Sequence, residues 1–390
     1  VCPYIDIEII KTTDKDNTTT TKNYNFYLPN DTLVIFDEAH RCKNWSSQTS
    51  LLLLAMNKCE CKIMMLSATL TDKIQCFKPF GIILGFYKNT DGFKIWIKSN
   101  EIKNKIKYKN INDSDQIKLD IIHNNIFPMY GSRLKIAELG NLFPVNNICA
   151  NAYFLEDHDK VDALYKEINA EIEDLNKLID KSEKIALIIR NRMKIEMLKV
   201  TLFMDLAQEG IDSGYSVAIF VNYIATLEYL CHHMQVDCII KGGQTIQERE
   251  SMVNDFQSNN KKVIIIMQQA GGVGISLHDI HSGHPRMSII SPSWSGQEMR
   301  QTLGRIHRAG AKTPAIQKIV YVAKTYEEHL CELIQTKIRT IDAINDGNLD
   351  EYEFSTVELE EDKTAKVNKD NNNDDHKPKK IYKPRNKKEK

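Results

Sequence analysis

Residues 33–44 read LVIFDEAHRCKN, and no other stretch narrows the choice of folds so far. An apolar run ends abruptly in Asp37-Glu38-Ala39-His40. A run of this kind fits a buried strand of a parallel sheet, which delivers two adjacent carboxylates to the sheet's carboxyl edge. Open α/β sheets bind their ligands at that edge. Nucleotide hydrolysis needs one acid to hold Mg2+ and another to orient the attacking water. Asp37 and Glu38 suit those two roles.

Size and composition set the frame. A chain of 390 residues can hold two or three domains with sizeable cores. Its 52 basic residues balance 52 acidic ones, so net charge argues neither for nor against nucleic acid, and any such binding must rest on local patches. Nine scattered cysteines argue against a secreted disulfide framework and for a reducing, intracellular compartment. No apolar run approaches the length of a membrane span, and no signal peptide is evident. The chain opens with Val1, inside what reads as a strand at 4–10, so a truncated start is expected.

Four stretches are expected. Residues 1–78 alternate apolar runs with polar loops: the Asp-Glu strand, a helix through the leucines at 51–54, then a strand at 63–66 ending in Ser67-Ala68-Thr69. Strand, helix, strand is the grammar of a parallel α/β sheet. Residues 79–210 begin Lys/Asn-rich and poorly patterned, then carry two long helical stretches at 160–180 and 183–209. Within 211–346 the alternation returns, with strands at 217–221, 238–240, 263–267, 288–290 and 316–322 and a last helix at 326–344. Residues 347–390 are acidic, then Asn/Asp-rich, then basic, and are expected to be disordered.

The third stretch carries a second constellation. Gln301-Thr302-Leu303-Gly304-Arg305-Ile306-His307-Arg308 places two arginines three apart, on one face of an expected helix. Exposed helices often carry such pairs without purpose. The specific alternative is that arginines stabilise charge on a transferring phosphoryl group, an effect worth ~10³–10⁵ in rate. Upstream, the glycine-rich 271–277 follows the strand at 263–267, where backbone amides can approach phosphate closely.

Taken in order, DEAH (37–40), SAT (67–69), GGVGISLHD (271–279) and QTLGRIHR (301–308) resemble motifs II, III, V and VI of the superfamily 2 helicases and translocases. The stretch HRCKN at 40–44 is similar to the extension after motif II in Swi/Snf-type DNA translocases. The SLHD and LGRIHR wording looks closer to strawberry-notch-like proteins and helicases of large DNA viruses. The resemblance implies an α/β fold of two RecA-like parallel-sheet lobes, the first incomplete, with a helical linker. It also implies ATP and Mg2+ as cofactors and DNA as partner, with RNA the alternative track. Transcription or replication machinery is an implied partner, and host cytoplasm or virion the implied location of a viral member. Residue by residue, Asp37 would hold Mg2+ through water and Glu38 would polarise the lytic water. Ser67 and Thr69 would couple nucleotide state to the nucleic-acid track, with His40 and His307 as relays. Gly272 and Gly274 would touch backbone phosphate or nucleotide, and Asp279 would make a ribose or coupling contact. Gln301, Arg305 and Arg308 would face the γ-phosphate, Arg308 as the arginine finger.

One departure matters. The family cradles phosphates with a Walker A loop, yet no Gly-x-x-x-x-Gly-Lys-Ser/Thr occurs in the chain. Gly310-Ala311-Lys312-Thr313 lacks the spaced first glycine and follows a helix. The chain alone is therefore expected to turn ATP over negligibly, with a non-hydrolysing binding relic as the rival reading. His278, His281 and His284 read as a solvated loop and Cys59 with Cys61 as too sparse for zinc. Trp294 reads as a core anchor, with base stacking the alternative.

Overall fold

The computed structural model describes residues 5–14, 17–29, 31–59, 61–108, 113–133, 138, 143–175, 182–271, 274–346 and 355–356. The chain divides into two compact units, Val1–Lys135 with Thr336–Tyr352, and Ile136–Gln335 with Glu353–Lys390.

The first unit opens with an antiparallel hairpin, β1 (Ile5–Asp14) and β2 (Asn17–Phe26). Strand β3 (Leu33–Phe36) then passes through helix α1 (Gln48–Ala55) to strand β4 (Lys62–Met65), which pairs parallel to β3. Ser47 starts α1 by accepting the Ser50 amide on its side chain. Along each strand alternate residues face opposite ways. Phe36, Ile63 and Met65 pack on the core, while Leu33, Ile35, Met64 and Leu66 stay about half exposed. The expectation of a fully buried strand is thus corrected: among the described residues the two-stranded sheet is covered on one face only.

The Lys/Asn-rich stretch, expected to be poorly patterned, is helical. It holds α2 (Lys78–Ile83), α3 (Gly92–Lys103) and α4 (Ser114–Ile126). Asp113 caps α4 through the amides of Asp115 and Gln116. Aromatic packing organises this region: the Phe86 and Trp96 rings stack 5.1 Å apart, and Phe77, Phe80 and Phe93 are buried beside them. These helices share a core with the end of the DEAH turn, so they belong to the first unit.

The second unit is a seven-stranded, all-parallel sheet in the order β11-β5-β10-β9-β6-β8-β7. The strands are β5 (Asn146–Tyr153), β6 (Ser216–Val221), β7 (Ile239–Ile240), β8 (Val263–Met267), β9 (Arg286–Ile290), β10 (Ala315–Val322) and β11 (Ser355–Thr356). Every residue of β6 and β9 is buried, as expected for central parallel strands covered on both faces. Their cover includes α5 (His158–Leu175), α6 (Ser182–Leu198), α7 (Val200–Asp212) and α8 (Ile224–Met234), whose Val161, Ile195, Phe203, Leu206 and Leu230 join the sheet's core. Helix α9 (Ile246–Gln257) opens with a reciprocal capping box between Thr245 and Glu248.

Two expectations change here. The second unit begins near residue 136, not 211, because β5 pairs in register with β10 and the linker helices lie on its sheet. The single helix expected at 183–209 breaks at Lys199, whose ammonium turns inward to Glu327 at 2.7 Å with both side chains nearly inaccessible. The tail expected to be disordered lies outside the described residues apart from β11.

Candidate active site

In the first unit the chemistry-bearing residues sit where β3 and β4 end. Leu66 donates to the Phe36 carbonyl, and the Ala39 amide returns to the Leu66 carbonyl, both at 2.9 Å, so the two strand ends are laced together. Between them Glu38 adopts left-handed backbone, φ 50 and ψ 47. A non-glycine residue held there costs about 1–3 kcal/mol, and such strain clusters at functional sites. Asp37 is exposed, and its Oδ1 accepts the Glu38 amide at 2.9 Å.

His40 binds this turn to its neighbour. Its Nδ1 lies 3.2 Å from Ser67 Oγ and 3.1 Å from Glu38 Oε2. Burial, reinforced by Arg41 and Lys43, pushes the imidazole down to about 4. At neutral pH the ring is uncharged, so its contact with Glu38 is a hydrogen bond and not an ion pair. Ser67 Oγ donates to the Thr69 carbonyl and accepts the Thr69 amide, folding SAT into a tight turn with Thr69 buried. The motif residues Asp37, Glu38, His40, Ser67 and Thr69 thus lie in one laced turn. Sequence reasoning missed Lys43, which pairs with the buried Asp72 at 2.7 Å and ties the segment after DEAH to the one after SAT. An exposed-looking lysine in a polar loop gives no hint of its partner 29 residues away.

In the second unit a one-turn helix, α10 (Gln268–Gly271), separates β8 from the glycine turn, where direct entry was expected. Gly274 has φ +77, a conformation side chains with Cβ rarely adopt, with open space where a Cβ would stand. Gly272 lies outside the described residues. Helix α11 (Gly296–Leu303), capped by Ser295 on the Glu298 amide, carries Gln301 and leads to both arginines. Arg305 is buried and donates Nη1 to the Ile275 carbonyl at 3.2 Å, while its own carbonyl accepts the Leu277 amide. Arg308 donates Nε to the Gly304 carbonyl and Nη1 to Ser276 Oγ at 2.8 Å. The glycine-rich and arginine-rich segments therefore form one structure.

Two expected roles meet a different geometry. Asp279 is 1% exposed and accepts the amides of His281, Ser282 and His284 and the hydroxyl of Thr313. Burial raises its pKa, but those amides, Thr313 and Arg286 outweigh it and hold the carboxyl below its usual range. With its oxygens so occupied, Asp279 shapes the loop and offers no open oxygen to a ribose. His307 donates Nε2 to the Pro144 carbonyl at 2.9 Å, its ring 5.2 Å from Phe143, so it anchors the strand-entry segment of its own unit. Trp294 packs against the core under the Arg192 guanidinium, 3.8 Å from its ring centre.

Comparison with known proteins shows what the chain as a whole is similar to. The family described as Helicase conserved C-terminal domain matches residues 193–310. A protein of Acanthamoeba polyphaga mimivirus, named for ATP-dependent RNA helicase activity, is 34% identical over 370 residues, 92% of this chain and 68% of its own length. The ATP-dependent helicase rhp16 of Schizosaccharomyces pombe is 23% identical over 44% of this chain and 20% of its own length. The C-terminal part of the Fun30 ATPase domain aligns at 14% identity over 52% of this chain and 97% of its own, with a TM-score of 0.35. The chain belongs to the superfamily 2 helicases, a family of ATP-dependent helicases that includes Swi/Snf-type relatives.

Proposed function

We propose that this chain is the larger part of an ATP-driven nucleic-acid motor, most suited to moving along DNA. The observation that carries the reading is the laced turn of the first unit. There a strained Glu38 and an exposed Asp37 end a parallel strand, and a neutral His40 bridges Glu38 to Ser67. Asp37 fits a Mg2+ ion held through water, because hard cations take carboxylate oxygens and this one has an oxygen beyond the Glu38 amide. Bound Mg2+·ATP would supply the phosphoryl group to be cleaved. Glu38 would orient the attacking water, and Gln301, Arg305 and Arg308 are the residues proposed to stabilise phosphate charge. Thr69 and Ser67 would pass nucleotide state to the track.

DNA is favoured by the HRCKN stretch and by relatives named for DNA repair and chromatin remodelling. The mimivirus relative's name makes RNA the outcome to exclude. No Walker A loop is present in the 390 residues, and the open face of β3 and β4 is where the remainder of a first lobe would pack. The chain alone is therefore proposed to hydrolyse little ATP.

The test is ATP turnover by the protein extended to include a Walker A segment, with duplex DNA, single-stranded DNA and RNA as separate stimulants and Glu38→Gln as control. Turnover raised by DNA and abolished by Glu38→Gln supports the motor. Stimulation by RNA alone moves the assignment to an RNA track. Absence of turnover from a folded extended protein favours the rival, a nucleic-acid-binding relic.

A further inference from the structure

Helix α6 belongs to the linker region, far from the arginines in sequence, yet one of its faces grips the loop that leads to them. Glu196 is 2% exposed and its two oxygens accept hydrogen bonds from four donors. These are the Asn222 amide, the Tyr223 amide, the Asn222 side-chain nitrogen at 2.8 Å and Ser291 Oγ at 2.6 Å. Asn222 follows β6 and Ser291 follows β9, so one carboxylate joins the ends of two neighbouring central strands. Ser291 is a junction in its own right. Its amide donates to the Phe220 carbonyl, and its carbonyl accepts Gln268 Nε2 from α10, the turn before Gly274. Asn222 also donates to the Pro292 carbonyl at 3.1 Å. One helical turn before Glu196, Arg192 lies over the Trp294 ring at 3.8 Å, with its buried Nε given no hydrogen-bond partner. Past Trp294, Ser295 caps α11, and Ser293 Oγ donates to Glu298 at 2.6 Å.

We infer that Glu196 and Arg192 are positioning residues for the proposed reaction: α6 sets the 291–295 loop and, through it, both α11, which leads to Arg305 and Arg308, and the glycine turn after α10. The inference rests on the proposed hydrolytic reading of Arg305 and Arg308. Residues four apart on α6 share a face, so a rotation or slide of this helix moves both grips together. The partners they hold lie just past the strand ends, where α6 adds side-chain anchors to the bonds that Phe220 and Gln268 make with Ser291. Small displacements of a charge-stabilising group are costly in rate, up to about 10²-fold for 1 Å.

The test uses Glu196→Gln, Ser291→Ala and the milder Arg192→Met, which keeps the aliphatic stem over Trp294. In the 390-residue chain, amide exchange across 291–303 should quicken by about tenfold in each variant, with β6 and β8 interiors unchanged. In the extended protein, kcat should fall about tenfold with KM for ATP held within about twofold, because binding is kept and charge stabilisation is lost. Unchanged exchange at 291–303, exchange raised equally throughout the sheet, or equal losses in kcat and in stability would overturn the inference. Failure of the unaltered extended protein to turn over ATP counts against the proposed function instead, and the exchange arm still decides the role of α6.

Discussion

His40 Nδ1 stands 3.2 Å from Ser67 Oγ, across the 27 residues that separate the DEAH strand end from the SAT turn. The same nitrogen is 3.1 Å from Glu38 Oε2, so the contact connects a proposed water-orienting carboxylate to the turn proposed to sense the track. Ser67→Ala should leave KM for ATP and unstimulated turnover of the extended protein near their starting values. Nucleic-acid-stimulated turnover should fall about tenfold, the rate equivalent of one lost hydrogen bond of about 1 kcal/mol or slightly more. Steady-state assays with and without DNA check this, and an equal loss in both conditions would sink the coupling role.

The same histidine makes the first unit sensitive to acid. Its folded pKa is about 4 against an ordinary 6.5. Between those values the unfolded chain takes up a proton that the folded one refuses. Stability is therefore complete above about pH 6.5 and is lost progressively as pH falls towards 4, by on the order of 2 kcal/mol after allowing for solvent screening. Urea midpoints measured from pH 7.5 to 4.5 should show a steeper fall in the native protein than in His40→Asn. Parallel curves would contradict the prediction.

Lys199 and Glu327 form the most enclosed ion pair described, with Glu327 Oε2 also accepting the Val322 amide at 2.8 Å and Tyr165 donating to Oε1 at 3.2 Å. Removing one partner strands a buried charge. Glu327→Ala is expected to cost the second unit about 3–5 kcal/mol, and Lys199→Met with Glu327→Gln much less than the sum of the single changes. A urea double-mutant cycle measures both, and additive losses would show that the two groups do not act as a pair.

Gly274 offers a cleaner separation of backbone from packing. Because open space surrounds the missing Cβ, Gly274→Ala costs only the left-handed conformation, about 1–2 kcal/mol. Gly274→Asn should cost less, since Asn tolerates that region. If the turn serves phosphate contact, nucleotide affinity in the extended protein should drop in the same order, Ala more than Asn. Titration with a labelled nucleotide reads it, and equal affinity in all three forms would remove Gly274 from the site.

Much of the second unit was legible in the sequence because buried parallel strands are written as continuous apolar runs. The run at 263–267 coincides with β8, and 217–221 falls within β6. Strand β5 was not legible: NNICANAY lacks both a continuous apolar run and strict alternation, and it becomes a strand only through its register with β10. The helices after residue 78 were hidden by lysines on their exposed faces, while Phe93 and Ile97 of α3 face inward. Motif residues could be named from local wording, but their partners could not. Lys43 with Asp72, Glu196 with Ser291 and His307 with Pro144 are decided by packing between distant segments.

The uncovered face of β3 and β4 carries a liability of its own. Ile35 and Met64 stand side by side in register, Leu33 and Leu66 extend the patch, and no further strand pairs with either outer edge among the described residues. Flat aliphatic surface beside open strand edges is how chains recruit one another into aggregates. A segment that covered this face would thus have a second duty: it would keep the proposed hydrolytic turn from self-association. Without such cover, the face would show itself as self-association that rises with protein concentration.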